Sequence, residues 1–511
     1  MQTDCDFLIS AMRTRLILLL LISGLWAQNI PFVMDHPVYH FLDRQEALGH
    51  INQEYWSTRP YSYDQIQEML GEIDSHAKDL RAHDLKTLRT YQRELNRDLP
   101  EDEIRFPWSR STLIGLAHPD SEAVKPFFMT YRKGEALGWI NWSETFRIQH
   151  NGETNRGYHT DHLGIFGSQG AIAFTTQFTY YRVTKNDAFP ELPESYKEGY
   201  ILERDEIKWL NWDHPTSSLT YAHKDFNLGI HRQPVYWGYS PDNSPILSDN
   251  VYPLPHIEWS TRMKHLRYRF IHARLSDVDP PLSDTLNVRR NVSAHRVEFD
   301  LTPNFEFAFN EMLVYAYRDF ELAYLNPVNF LFAEEHVQGN LDNLLMALEF
   351  KWRVRPGIMT YGTWLFDELN YLELFSSWWG NKFVFQIGAS YTPQSNLPTL
   401  SLEYTAARPW TYSHQYPVNS YTSAGRSLGL KAGPNTESWR LEAHWQATPK
   451  LFLAGEFEYL GRGDHPGNDP LRSYDERTEE QLANSDFIQG EILATEVLHV
   501  NLSYRFSRSL L

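Results

Sequence analysis

Glu334, Glu335 and His336 stand side by side, a run of metal-ligating residue types. Neighbouring side chains point to different sides, and no second histidine follows at ligand spacing, so a solvated loop is the plainer reading. The 21 histidines are otherwise scattered. There is no Gly-rich phosphate loop and no HExxH. Outer-membrane lipases carry Ser and His chemistry on a barrel wall, and His272 and His499 sit in strand-like segments, but no serine partner can be assigned to either. The expectation is a chain that is not an enzyme, with no cofactor and no metal.

Two stretches are richer in aromatic and polar groups than ordinary loops. HRQPVYWGYSPDNSPILSDNVYPLP runs from His231 to Pro255, and NEMLVYAYRDFELAYLNPVNFLFAEEHVQGNLDNLLM runs from Asn310 to Met346. What positions them is a repeated pattern. In Arg296–Asn310, Val297, Phe299 and Leu301 alternate with Arg296, Glu298 and Asp300. After Thr302-Pro303-Asn304 the alternation resumes, with Phe305, Phe307 and Phe309 against Glu306, Ala308 and Asn310. Successive side chains of a strand face opposite ways, so this is a hairpin with one apolar and one charged face.

The pattern recurs from about Ser109 onward, at Ile172–Tyr180, Ile257–Phe270, Leu344–Arg353, Phe383–Ser390, Trp439–Glu458 and Leu498–Phe506. Connections fall into two classes. Some are tight, as at Thr302–Asn304, Arg355–Gly357 and Ala447–Lys450. Others are long: about Thr184–Tyr200, Gln233–Pro255, Ser276–Asn291, Tyr317–Asp342, Asp367–Asn381, Ala407–Pro434 and Gly461–Gly490. Short turns at one end and long loops at the other are the arrangement of outer-membrane barrels. No element is available to cover so many apolar strand faces, so lipid is their simplest partner. The predicted fold is mainly β, a large antiparallel transmembrane β-barrel of about 16–18 strands spanning residues 107–511.

Residues 28–106 differ. Val38, Phe41, Leu42, Ala47 and Leu48 recur at helical spacing. Ile66, Met69, Leu70 and Ile73 do so after Ser62, a cap residue, and Leu80–Leu95 makes a third helix. This predicts a small N-terminal α-helical domain, periplasmic if the barrel is in an outer membrane. The segment around HPVYHFLDRQEALGHI resembles half of a surface-layer-homology repeat, which binds cell-wall polymers; a helical cap packed on its own barrel is the plainer reading. Cell-wall or export components are the partners such a domain would have.

Residues 1–27 read as a secretory signal peptide, with Arg13 and Arg15, an apolar run from Leu16 to Ile22, and Ala27 at the end. Met12 is the expected start, because Asp4 and Asp6 are out of place ahead of a basic signal region. Cys5, the only cysteine, precedes that segment, so the mature chain would hold no disulfide. The net charge of -18 argues against nucleic acid.

Five stretches resemble the Wzi-type capsule-assembly proteins of the bacterial outer membrane. They are HPVYHFLDRQEALG; RQPVYWG with ILSDN and YPLPHIEW; EMLVYAYRDFELAYLNPVNFLF with DNLLMALEFKWRVRPGI; ARPWTYSHQYPVNSYTSAGRSLGLKAGPN; and the closing strand. The family's Gly-rich loop after Trp-Gly is replaced here by YSPDNSP. The resemblance implies an 18-stranded barrel with a periplasmic helical domain, long loops outside the cell, and a lectin role: tethering capsular or other surface polysaccharide. Sugars are held by aromatic faces and by carboxylate, amide and guanidinium groups. The candidates are Trp237, Tyr239, Asp249 and Asn250; Arg318, Asp319, Tyr324, Asn326 and Asn329; Trp378 and Trp379; and Tyr412 and Tyr416. The plainer readings stay open beside these. Trp378 and Trp379 also fit an interfacial girdle, Asn326-Pro327 fits a turn, and Arg318 with Asp319 fits a lumen ion pair. The rival function is a porin-like channel for small solutes.

Overall fold

The computed structural model describes residues 30–32, 34, 36–51, 55, 57–95, 104–105, 129–150, 155–184, 209–276, 288–368, 372–373, 376–477 and 486–504. The expected signal peptide, the Met12 start and the whole of the loop at Thr184–Tyr200 apart from Thr184 itself lie outside these residues.

Three helices come first. α1 spans Val38–Leu48 and ends at Gly49, whose φ of 88° suits a residue without Cβ. α2 spans Tyr63–Ser75, and its N-cap Ser62 accepts the Gln65 N–H at 3.1 Å. α3 spans Ala82–Leu95. Their apolar stripes meet in one core holding Val38, Phe41, Leu42, Ile66, Leu70 and Leu88.

The strands follow: β1 (Ile104–Arg105), β2 (Met129–Lys133), β3 (Ala136–His150), β4 (Asn155–Gln169), β5 (Ile172–Thr184), β6 (Trp209–His223), β7 (Phe226–Gln233), β8 (Leu254–Met263), β9 (Leu266–Leu275), β10 (Arg290–Thr302), β11 (Phe305–Ala316), β12 (Asn343–Arg355), β13 (Ile358–Phe366), β14 (Phe383–Tyr391), β15 (Thr399–Ala407), β18 (Thr436–Thr448), β19 (Leu451–Asp464) and β20 (Glu491–Tyr504). They form one 18-stranded antiparallel sheet in which each pairs with the next in the chain. Two short strands, β16 (Thr422–Ser423) and β17 (Arg426–Ser427), pair separately inside a loop.

The three-helix unit shows how far the sheet curls. Trp139 of β3 belongs to the helical core, Arg262 of β8 reaches Glu68, Gly357 after β12 donates to the Ala47 carbonyl, and Phe452 of β19 stacks on His40. A sheet whose first and last thirds touch one small unit has rolled into a barrel. These contacts also fix the end at which the helices sit. Arg353 bridges the Glu46 and Ile51 carbonyls to Pro303 and Asn304 of the tight β10–β11 turn. The helices therefore cap the turn end, and the long connections lie at the other.

The two-faced hairpin is present as expected near its turn. Glu298, Glu306 and Asn310 are fully buried inside, while Val297, Phe299, Phe305, Phe307 and Phe309 are half-buried outward. Arg296 donates to Glu298 at 2.7 Å, to Asn310 at 3.0 Å and to Glu349, and Arg267 holds Glu298 at 2.7 Å. Inward charges in this layer are thus mutually paired.

Halfway along the same strands the faces exchange character. Beyond Arg296 the inward residues of β10 are Ala294 and Val292, those of β11 beyond Asn310 are Met312 and Val314, and those of β12 beyond Glu349 are Ala347 and Leu345. Their outward neighbours include polar groups: His295, Ser293, Glu311 and His272. The upper lumen is therefore an apolar cavity requiring a filling, and the upper outer wall mixes apolar residues such as Leu313 and Tyr315 with polar groups that require partners.

Candidate functional site

The filling is the connection between β7 and β8. β7 leaves the wall at Gln233, and residues 234–253 turn into the lumen. Tyr236 pairs with Arg59 of the helical unit through both backbone groups, so this loop reaches the turn end. It then climbs back beneath the β15–β18 connection. Tyr412 Oη donates to the Pro245 carbonyl and Tyr421 Oη to that of Ile246, both at 2.8 Å, and Ser248 Oγ donates to Gly429 O at 2.6 Å. Trp237 is 0% exposed in this core, beside Ile246, Leu247 and Leu428. Tyr239 is buried lower down, its ring 5.1 Å from the Arg296 guanidinium carbon and 5.3 Å from Lys351 Nζ. Asn250 donates to the Ser427 carbonyl at 2.9 Å. Asp249 is exposed, and its partly enclosed surroundings, with Asp242 nearby, push its carboxyl up. Of these four residues, Trp237 and Tyr239 are packing groups that no ligand outside the barrel can touch.

The cover is the connection between β11 and β12, which lies on the outer wall and not across the mouth. It carries α4 (Leu322–Leu325) and α5 (Leu331–Val337). Tyr324 is buried against Leu313, Tyr315 and Leu331, and donates to Asp342 at 2.8 Å. The Leu331 and Phe332 N–H groups are accepted by Glu311, and Ser293 Oγ donates to the Tyr324 carbonyl, so outward polar wall groups are answered. Arg318 pairs with Asp342 at 2.5 Å and Asp319 pairs with Arg289, which replaces the lumen ion pair considered between them. Asn326 accepts the Val328 N–H at 3.3 Å, the local turn its Asn-Pro pair suggested, and Asn329 donates to Ala323 O and to Glu334. Phe320, Leu322, Val328 and Phe330 point outward and are exposed.

At the loop end, three other connections meet. Asn381 Nδ2 donates to the Glu373 and Ser376 carbonyls at 2.6 and 2.9 Å, closing a turn that presents Trp378 and Trp379. Gly380 follows because any Cβ there would lie 2.3 Å from the Trp378 ring. The two indoles sit 5.6 Å apart, and Trp379 lies 5.5 Å from the ring of Tyr474. Arg477 stacks over Trp379, with its Nε and Nη1 groups lacking a hydrogen-bond partner among the described residues. Lys382 Nζ is 4.4 Å from the Tyr474 ring centre, 3.6 Å from Asp367 and 3.2 Å from Glu368. Burial pushes the Asp367 carboxyl up to about 7 and holds the His414 imidazole down at about 4. A cavity of about 250 Å³ opens among Trp378, Asp367, Glu368, His414 and Tyr474. Tyr416 borders this group, 5.7 Å from His414, whereas Tyr412 is buried below it and donates its N–H to Asp367.

The arrangement joins aromatic faces to both signs of charge and to unspent N–H donors. Among the candidates it brings together Trp378, Trp379 and Tyr416. Lys382, Tyr474 and Arg477 were not singled out from the sequence. The last two lie in the 461–490 connection, where only length was noticeable.

No family model and no curated protein matches this chain. Among solved structures, it matches Wzi, an outer-membrane protein involved in group 1 capsule assembly in Escherichia coli and described as a carbohydrate-binding β-barrel. The match has a TM-score of 0.54 at 13% identity and covers 93% of this chain and 96% of that one. The chain has the Wzi fold. A porin of Rhodopseudomonas blastica, in a triple-mutant form, aligns with a TM-score of 0.33 at 9% identity, over 63% of this chain and 94% of that one. The Wzi fold is that of an outer-membrane β-barrel.

Proposed function

We propose that this protein is a non-catalytic outer-membrane lectin that tethers capsular or other surface polysaccharide and supports capsule assembly. The observation that carries the reading is the group formed by Trp378, Trp379, Tyr474 and Arg477 beside Asp367 and Glu368 at the loop end of a filled barrel. Aromatic faces pack on the C–H faces of sugar rings, while carboxylates and guanidinium N–H groups take the hydroxyls and acid groups. The carbohydrate binding described for the Wzi of Escherichia coli supports the same direction.

In this reading residues 1–27 are removed on export, residues 28–106 form the periplasmic domain, and residues 107–511 form the barrel with its long loops outside the cell. The helical domain would face cell-wall or export components. Trp237, Tyr239, Tyr324 and Asn329 serve by holding the plug and the outer cover, Asn250 ties the plug to Ser427, and Asp249 stays exposed beside it. The porin reading is disfavoured by the 234–253 segment, which occupies the lumen from Arg59 to Gly429.

The deciding experiment is a pull-down of the purified protein on the host's own extracted surface polysaccharide. Retention by the wild type and loss in Trp379→Ala and Arg477→Ala is expected. Equal retention of all three, or none by the wild type, overturns the proposal.

A further inference from the structure

On the inner wall near the turn end, three side chains converge that the glycan reading does not use. His231 of β7 and His256 of β8 are directly opposed in register, and Glu258 lies two residues beyond His256 on the same face. One donor atom from each lies within 4.8 Å of the others. The two rings are 5.1 Å apart at an interplanar angle of 30°.

Each imidazole is already oriented. His231 Nδ1 is 2.8 Å from Ser218 Oγ, and His256 Nδ1 is 2.7 Å from the Leu254 carbonyl. A carbonyl accepts only, so His256 carries its proton on Nδ1 and turns the Nε2 lone pair to the cluster. Ser218 can serve His231 in the same way. This use of one ring nitrogen to aim the other is how metal-ligating histidines are fixed.

Room for the ring comes from a missing side chain. Gly229 stands directly opposite Glu258, and a Cβ at that position would lie 2.1 Å from His231 Nε2. His231 therefore leans along its strand into the space that any other residue would fill, toward the Glu258 carboxylate. Arg269 Nη1 holds Glu258 Oε2 at 3.3 Å, and the Ser260 hydroxyl also hydrogen-bonds the carboxylate, so Glu258 is held facing the cluster. The cluster opens onto a cavity of about 280 Å³ between this wall and α2, bounded by Gln65, Glu68 and the β6–β7 turn residues Lys224 and Asp225. Ions and water reach it from the turn end.

We propose that His231, His256 and Glu258 form a binding site for an imidazole-preferring divalent transition-metal ion, of which Zn²⁺ is the natural probe. Two nitrogens and one carboxylate oxygen give three protein ligands, and the cavity supplies water for the fourth position. The Arg269 charge offsets that of Glu258, so attraction for hard cations is weak. The affinity rests on nitrogen, which separates Zn²⁺, Ni²⁺ and Cu²⁺ from Ca²⁺ and Mg²⁺. The site is remote from the Trp379 group and stands or falls independently of it.

The test is equilibrium dialysis of the full chain, folded in detergent, against Zn²⁺. One equivalent is expected, undisplaced by excess Ca²⁺ or Mg²⁺. His231→Ala and His256→Ala should each weaken binding tenfold or more, while His159→Ala, on β4 beside Glu144 and Asp161, should not change it. Gly229→Ala keeps all three donors and should also weaken binding, because it evicts the His231 ring. X-ray absorption of the Zn²⁺-loaded wild type should show two imidazole nitrogens in the first shell, a readout independent of whether any variant folds. Absence of stoichiometric Zn²⁺ binding, binding unaltered in His256→Ala, or a first shell without imidazole overturns the proposal.

Discussion

The Arg477 guanidinium lies over the indole of Trp379, with two of its N–H groups unspent. Stacking of this kind fixes a guanidinium in a plane, and both unspent groups are enclosed by the assembled loops and not open to solvent. Arg477 and Trp379 come from different connections, so the group exists only when the loop end is assembled.

Binding and stability should therefore separate between two tryptophans. Trp379→Ala should abolish polysaccharide retention with little change in thermal unfolding. Trp237→Ala, in the interior core, should cost about 3–5 kcal/mol of stability by opening a cavity. Scanning calorimetry alongside the pull-down checks both, and a Trp237 variant of undiminished stability would contradict the plug.

The filled lumen makes an electrical prediction. Reconstituted in planar bilayers, the protein should show no steady large conductance. Deleting residues 237–248, the part of the plug that Tyr412 and Tyr421 hold, should create it. Open channels in the intact protein would restore the porin reading.

Lipid contact is tested on the outward aromatic row. Phe307→Arg should destabilise the folded barrel by roughly 2–4 kcal/mol if the residue lies near the bilayer midplane. Glu306→Gln, its inward neighbour, leaves the lipid face untouched and should not perturb insertion. Urea titration in lipid vesicles, read by the loss of the gel shift between unboiled and boiled samples, gives both values.

Removing one member of the inward ion network should be costly. Arg296 is fully buried between Glu298 and Glu349. Arg296→Met leaves two carboxylates facing each other without their shared cation, and a loss of about 3–5 kcal/mol follows. The double variant Arg296→Met with Glu349→Gln should recover part of it in the same unfolding assay.

Acid should loosen the helical unit. Burial, with His444 beside it, holds the His40 imidazole down at about 3, against 6.5 for a free histidine. The folded state therefore keeps His40 neutral while the released helix binds a proton, so docking is strongest above pH 6.5 and weakens progressively from there toward about 3. Protease cleavage within residues 30–100 should accelerate as pH falls from 7.5 to 4.5, and His40→Gln should flatten that dependence.

Much of the barrel was legible because its signal is local. Val297, Phe299 and Phe307 declare an outward face within a few residues, and Thr302-Pro303-Asn304 declares a turn. The three helices were equally plain, down to Ser62 as a cap. Less legible was the exchange of faces at His295 and Glu311. There Ala294, Val292 and Met312 look like ordinary apolar residues until their partners across the lumen are known. The destinations of the loops were hidden for the same reason. Trp237 reads identically on a surface or in a core, and only Tyr412 and Tyr421, far along the chain, decide. Tyr324 looked available for a ligand because nothing nearby in sequence reveals Leu313 and Tyr315 as its floor. Tyr474 and Arg477 gave no local signal at all, since a lone tyrosine or arginine in a polar loop is unremarkable without Trp379 beneath it.

The exchange of faces halfway up the wall has a bearing on biogenesis. An empty cylinder of these strands would line its upper bore with Ala294, Val292, Met312 and Leu345 and turn His295, Ser293 and Glu311 toward hydrocarbon. Such a cylinder is unfavourable on both surfaces at once. Closing the wall before residues 234–253 enter the lumen and the α4–α5 segment wraps the outside would leave both surfaces mismatched. Closure of the wall, entry of the plug and laying down of the outer cover are therefore energetically linked, each supplying the partner surface that another lacks.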